Sequence, residues 1–147
     1  MRPVAMAIAW LAGFLAAPAA LAQPMVIDCF APTDCRRAIG DALSPAFARA
    51  VPAANHRLVV FGSVHRYAAD RAAAYAVAGV TERVLHDGAE LTLLPLKRYS
   101  ASVPLDQPRI GEADERRALD QAVRAAVERM MQACAKSSAC DVHKPYR

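Results

Sequence analysis

Only six of the 147 residues are glycine, and no two lie within four positions of one another. Phosphate-cradling loops and dinucleotide fingerprints need glycines at closer spacing, so neither is written here. The serines Ser44, Ser63, Ser100, Ser102, Ser137 and Ser138 fall in neither G-x-S-x-G nor S-x-x-K. Two common serine-nucleophile motifs are thereby missing. Aromatics are scarce at 6%, and the single tryptophan, Trp10, lies in a segment set aside below. The carboxylates Asp28, Asp34, Asp41, Glu82, Asp87, Glu90 and Asp106 are scattered. No stretch gathers a pair of them for acid–base work. His143 alone stands near a cysteine, and C-x5-C is wider than the usual zinc spacing. The reading therefore assigns no metal, no cofactor and no catalytic residue. There is no internal repeat and no low-complexity tract.

What is there begins with the N-terminus. Met1-Arg2 is a short basic start, residues 4–15 form an uncharged apolar run, and Ala20-Leu21-Ala22 is a small-x-small signal. This order predicts a signal peptide over 1–22 and one domain over 23–147. No cysteine stands at the cleavage point, so a lipid anchor is not expected. No membrane span is expected in the mature chain. Loss of Arg2 takes the net charge from +4 to +3. That excess is mild and acids interleave with bases, so no nucleic-acid partner is expected. Arginine outnumbers lysine fifteen to three, and 25 of the 125 residues after Ala22 are alanine. We read a GC-rich bacterial coding bias and, with the leader, a periplasmic or secreted protein.

Four cysteines follow the leader: Cys29, Cys35, Cys134 and Cys140. An even number in an oxidising compartment predicts two disulfides. Three connectivities are possible. Local pairing (Cys29 with Cys35, Cys134 with Cys140) closes short loops, each worth about 2 kcal/mol. Crossed pairing ties the chain ends together, for about 4–5 kcal/mol over the longer loop. The local scheme is the expectation.

Apolar periodicity predicts the elements. Residues 23–31 read as an extended lead-in. Thr33 or Asp34 caps a helix whose stripe is Ile39, Leu43, Phe47 and Val51, with Pro45 kinking it or opening a second short helix. Leu58–Tyr67 is β-branched and aromatic and reads as a strand. Ala74–Leu85 reads as a second strand after a turn at 68–71. Asp87-Gly88 between apolar runs predicts a type I′ turn, because both central residues need positive φ. Leu91–Tyr99 reads as the third strand, at an edge because Pro95 lacks a donor. Ser100–Gly111, with Pro104 and Pro108, reads as a loop. Glu112–Lys136 reads as a helix with acids at its start, as the helix dipole favours. Met130 and Met131 fall on its apolar face and read as core. The fold class is α+β: a three-stranded antiparallel meander flanked in sequence by an N-terminal and a C-terminal helix, both packed on one face. That face is the alanine row Ala74, Ala76 and Ala78 with Val80, which permits close approach.

The opposite face carries Tyr75, Val77 and Thr81, which is too apolar for plain solvent surface. With Phe30 and Pro32 of the C-x5-C loop, these are the candidate binding residues. The predicted function is an exported binding protein that binds or inhibits an envelope protein, of inhibitor or immunity type. The uncovered face also suits a homodimer. Two alternatives stand beside this. One is a small hydrolase using His65, His86 and Asp87. The other is a carrier of a small apolar ligand. The doublets Arg36-Arg37, Lys97-Arg98 and Arg116-Arg117 read as solvated surface or as a patch for an acidic partner.

Overall fold

The computed structural model describes residues 24–136. The predicted leader, Cys140 and His143 lie outside the described residues. The elements run β1 (Val26–Phe30), α1 (Cys35–Ile39), a 3-10 turn (Gly40–Ala42), α2 (Pro45–Ala50), β2 (His56–Arg66), β3 (Arg71–Glu82), β4 (Val84–His86), β5 (Ala89–Leu91), β6 (Tyr99–Asp106) and α3 (Glu112–Lys136). The α+β class holds, with helices drawn from both ends of the chain.

Four strands form the main sheet in the order β1-β2-β3-β6. β2, β3 and β6 are antiparallel neighbours, whereas β1 pairs parallel to β2, with Ile27 opposite Leu58 and Cys29 opposite Val60. The sheet is therefore mixed rather than a purely antiparallel meander. The lead-in became a strand because Val26–Phe30 can pair with β2 along its free edge.

The third sheet strand of the meander is also corrected. It is β6, in the stretch read as a loop, and not Leu91–Tyr99. Residues 100–106 alternate Ser-Ala-Ser-Val-Pro-Leu-Asp, and Ala101, Val103 and Leu105 join the core side. Pro104 is tolerated because β6 is an edge strand and needs only one ladder of hydrogen bonds. Asp87 and Gly88 do adopt positive φ, 50° and 79°. Their turn closes the small β4–β5 hairpin, with His86 opposite Ala89.

The alanine row decides the layering. Ala72, Ala74, Ala76 and Ala78 of β3 are buried, and α3 lies across β3 and β6 on that side. α3 contributes Leu119, Val123, Val127 and Met130, all fully buried; β2 contributes Leu58 and Val60. Gly62 allows this closeness: a Cβ there would stand 3.0 Å from Leu119 Cδ1 and 3.1 Å from Ala31 Cβ. Met131 is only half-buried, at the margin of this core.

Caps and pins fix the helices. Asp34 caps α1, accepting from the Arg37 N–H at 3.2 Å, and Ser44 caps α2, accepting from the Phe47 N–H at 3.1 Å. Gly40 ends α1 with φ of 50°, so the predicted stripe is broken there into separate pieces. At the start of α3, Asp114 accepts from the Gly111 N–H at 2.9 Å. That backbone bond, helped by Arg117, holds the Asp114 carboxyl below its ordinary value. Arg66 ties the end of β2 to α3 through Glu115 and the Ile110 carbonyl. Cys29 and Cys35 are bonded, with Cα atoms 5.9 Å apart, which staples β1 to the first turn of α1. Cys134 is disulfide-bonded as well.

Candidate binding surface

The helices cover one face of the sheet. The other face is divided into two halves. Its first half lies under residues 90–98, the end of the β4–β5 hairpin and the segment after it. Gly79 marks the contact. A Cβ there would fall 2.4 Å from Pro95 Cβ and 2.7 Å from the Lys97 carbonyl oxygen. Pro95 is buried against the sheet. It packs as a lid residue rather than serving in an edge strand.

Arg57 of β2 fastens this flap. It is 6% exposed and sits between two carboxylates. Its Nε is 3.1 Å from Asp28 Oδ2, close enough for an ion pair but without the alignment of a hydrogen bond. Its Nη2 is 3.3 Å from Glu90 Oε2, and its Nη1 donates to Thr92 Oγ1 at 3.0 Å. Thr92 donates onward to Asp28 Oδ2 at 3.1 Å. Arg83 Nε meets Glu90 Oε1 at 2.5 Å. This bond from Arg83 holds the Glu90 carboxyl below its ordinary value. β1, β2 and the flap are thus laced together by one charged cluster.

The second half is open. Strand register lays its residues out in rows. Phe30, Phe61, Val77 and Ser100 form one row, and Ser63, Tyr75 and Ser102 form the next. His65, Ala73 and Pro104 follow. The Phe30 and Phe61 rings stack with centroids 5.0 Å apart. Phe30 is 50% exposed and Tyr75 44%. Ser63 Oγ and His65 Nε2 lie 3.0 Å apart on the same side of β2.

Of the candidate binding residues, Phe30, Tyr75 and Val77 share this open half. Pro32 is exposed on the bridged loop beyond β1. Thr81 is only 4% exposed and belongs to the covered half, so it takes no part in the open surface. Phe61, Ser63 and the two β6 serines were missed, and His65 was named only for the hydrolase alternative. Two rows depended on recognising β6, and Phe61 depended on the pairing of β1 with β2.

The proposed catalytic trio does not assemble. His86 and Asp87 sit at the hairpin turn, 3.4 Å apart and both well exposed. His65 lies eight residues along β2 from Arg57, which holds that hairpin, a span of roughly 26 Å in a strand. The Ser63–His65 pair has nucleophile-and-base spacing, but no carboxylate among the described residues orients the imidazole. It stands as a polar pair on the open floor. Among the described residues, no group of three or more His, Cys, Asp or Glu is placed to hold a metal. No helix among them is long and apolar enough to cross a membrane.

A separate apolar cleft of about 300 Å³ lies between α2 and the end of α3, with Phe47 and Met131 among its walls.

No protein-family model matches the chain, and no curated protein matches it. Among solved structures, the chain is similar to a candidate lipoprotein from Caulobacter crescentus at 21% identity. The match covers 82% of this chain and 93% of that one, with a TM-score of 0.44.

Proposed function

We propose that this chain is an exported binding protein that grips a protein of the bacterial envelope with the open half of its sheet, as an inhibitor or immunity factor does. The observation that carries this reading is the contrast on a single sheet face. One half is roofed and laced, while the other leaves Phe30, Phe61, Tyr75 and Val77 accessible among small hydroxyl residues. Stiff aromatics supply contact area at low entropic cost, and Ser63, Ser100 and Ser102 supply adaptable hydrogen bonds. The Cys29–Cys35 bridge supports export, because such bonds persist in oxidising compartments. It also holds the segment between Phe30 and α1 in place before any partner arrives, which lowers the ordering cost of binding.

The test is cross-linking from a photoreactive residue placed at Tyr75 in cells, with a second probe at Glu128 on exposed α3 as control. A partner trapped from position 75 alone, and lost on Phe30→Ser, is the expected result. Cross-links only between copies of this chain would assign the face to a homodimer instead. Equal trapping from both positions would remove the reading.

The cleft beside Phe47 and Met131 favours a second reading, a carrier of a small apolar ligand, since its volume is at the lower bound for such sites. Native mass spectrometry of the purified chain tests it. A bound mass lost on Phe47→Ala is expected; an unliganded mass after mild extraction from its own cells would dismiss it.

A further inference from the structure

We infer that the groove between α1 and α3, on the side of the molecule away from the open sheet face, binds a phosphoryl group. Two of the three basic doublets, about eighty positions apart in sequence, are brought together there. α1 carries Arg36-Arg37, α3 carries Arg116-Arg117 and Arg124, and the two helices pack together. The groove has a volume of about 370 Å³ and is walled by Arg37, Ala38, Arg117, Asp120, Gln121 and Arg124.

The single carboxylate in this wall is already engaged. Asp120 accepts from Thr33 Oγ1 through one oxygen and from Arg37 Nη2, at 3.3 Å, through the other. Thr33 lies inside the Cys29–Cys35 loop, so the disulfide helps to place Asp120 and, through it, Arg37. Arg124 donates from Nε to the Ala38 carbonyl at 3.1 Å. That bond aims its guanidinium while leaving both terminal nitrogens with no protein acceptor among the described residues. Arg117 gives one nitrogen to Asp114 at 2.5 Å. Three guanidinium groups therefore face one carboxylate in the groove. When Asp114 is counted from outside it, the excess is still one positive charge. Arg36 and Arg116 stand one residue away on either wall.

Guanidinium forks match phosphoryl and carboxylate oxygens, but the numbers favour the former. A phosphoryl group offers three terminal oxygens to the three guanidinium groups, where a carboxylate offers two. A soluble phosphate ester and a lipid headgroup present the same oxygens, and the test separates them.

The experiment is a titration of the full mature chain followed by NMR shifts of arginine side chains. The probes are inorganic phosphate, glycerol 3-phosphate and sodium acetate at constant ionic strength. Flotation with vesicles of phosphatidylcholine, with and without phosphatidic acid, completes the set. Saturable shifts with phosphate or its monoester, centred on Arg117 and Arg124, are expected, with acetate much weaker. Arg124→Gln and Arg117→Gln should each weaken binding about tenfold or more, as loss of a charge-assisted bond implies. Arg109→Gln, an exposed arginine outside the groove, should leave it unchanged. Flotation that depends on phosphatidic acid and on Arg124, with no response to soluble phosphate, would locate the phosphoryl group on a lipid. No saturable response in any arm overturns the proposal. So does equal binding of acetate, or equal loss on Arg109→Gln. Arg117→Gln keeps the test decisive should Arg124→Gln disturb α1, because Arg117 bonds only to its own helix.

Discussion

The two halves of one sheet face show how the same kind of surface is used in two ways. The covered half has Val59, Gly79 and Thr81 out of solvent, with a charged cluster binding the roof to the floor. The open half has aromatic and hydroxyl residues and no roof among the described residues. Small size selects the covered half: Gly79 admits Pro95, where a side chain would not fit. Bulk marks the open half, since Phe61, Tyr75 and Val77 fill the positions that further flap would need. Covering serves stability, and the bare half is the surface proposed for contact.

If this contrast holds, changes in the covered half should cost stability. The largest effect is expected from Arg57→Ala. Removing one member of a buried ion pair leaves its partners charged and poorly solvated, at about 3–5 kcal/mol. We expect about 3 kcal/mol in urea unfolding, because Asp28 and Glu90 keep some contact with water. A loss near zero would mean that the flap does not depend on the cluster. Next comes Gly79→Ala. Its Cβ meets both Pro95 and the Lys97 backbone, so residues 92–98 must lift, at about 2 kcal/mol, a typical cost of overpacking. Amide exchange should quicken at Val59 and Thr81 and stay unchanged at Ala122 in α3. Uniform quickening would show that the roof and the helix layer open as one unit.

Much of this architecture was legible in residue spacing, and the failures have physical causes. Asp87-Gly88 announced its turn because positive φ at two successive residues admits few residue types. The β3 alanines announced the helix face because only small side chains allow α3 so close. β6 was missed because two prolines in a short stretch read as a loop. The alternation through Ser100, Ala101, Ser102 and Val103 was the better guide, since an edge strand can carry a proline. Leu91–Tyr99 reads as a strand because apolar runs are usually buried. Here Pro95 packs against the sheet while Leu94 remains 64% exposed. Nothing local distinguishes a flap from a strand, because the difference lies in what Gly79 offers across the chain. The parallel pairing of β1 was out of reach for the same reason. Of the site, Phe30, Tyr75 and Val77 were named from alternation and loop chemistry. Thr81 obeyed the same alternation but sits under the roof.

A smaller effect should separate the halves by acidity. Glu90's carboxyl is held down chiefly by the bond from Arg83. A carboxylate with a depressed folded value adds stability that is fully present above its unfolded pKa, about 4.3, and lost as pH falls through the folded value. The stability difference between the wild type and Glu90→Gln should therefore be constant above that pH and shrink on further acidification. Asp114 titrates in both proteins and cancels from the comparison. A difference that stays flat to strong acid would show that Glu90 does not hold the flap as a charged group.

The smallest stability effect is expected in the open half, and it is the most informative one. Tyr75 is nearly half exposed, and no described hydrogen bond fixes its hydroxyl. Tyr75→Ser should shift unfolding by only about 0.5 kcal/mol or less, as surface substitutions do. The same change should weaken capture of the proposed envelope partner about tenfold or more, because exposed aromatics carry much of the binding energy at protein interfaces. The two readouts must part company. If stability falls as far as it does for Gly79→Ala, the open half is a structural surface like its neighbour. Its bare aromatics would then need an explanation other than recognition.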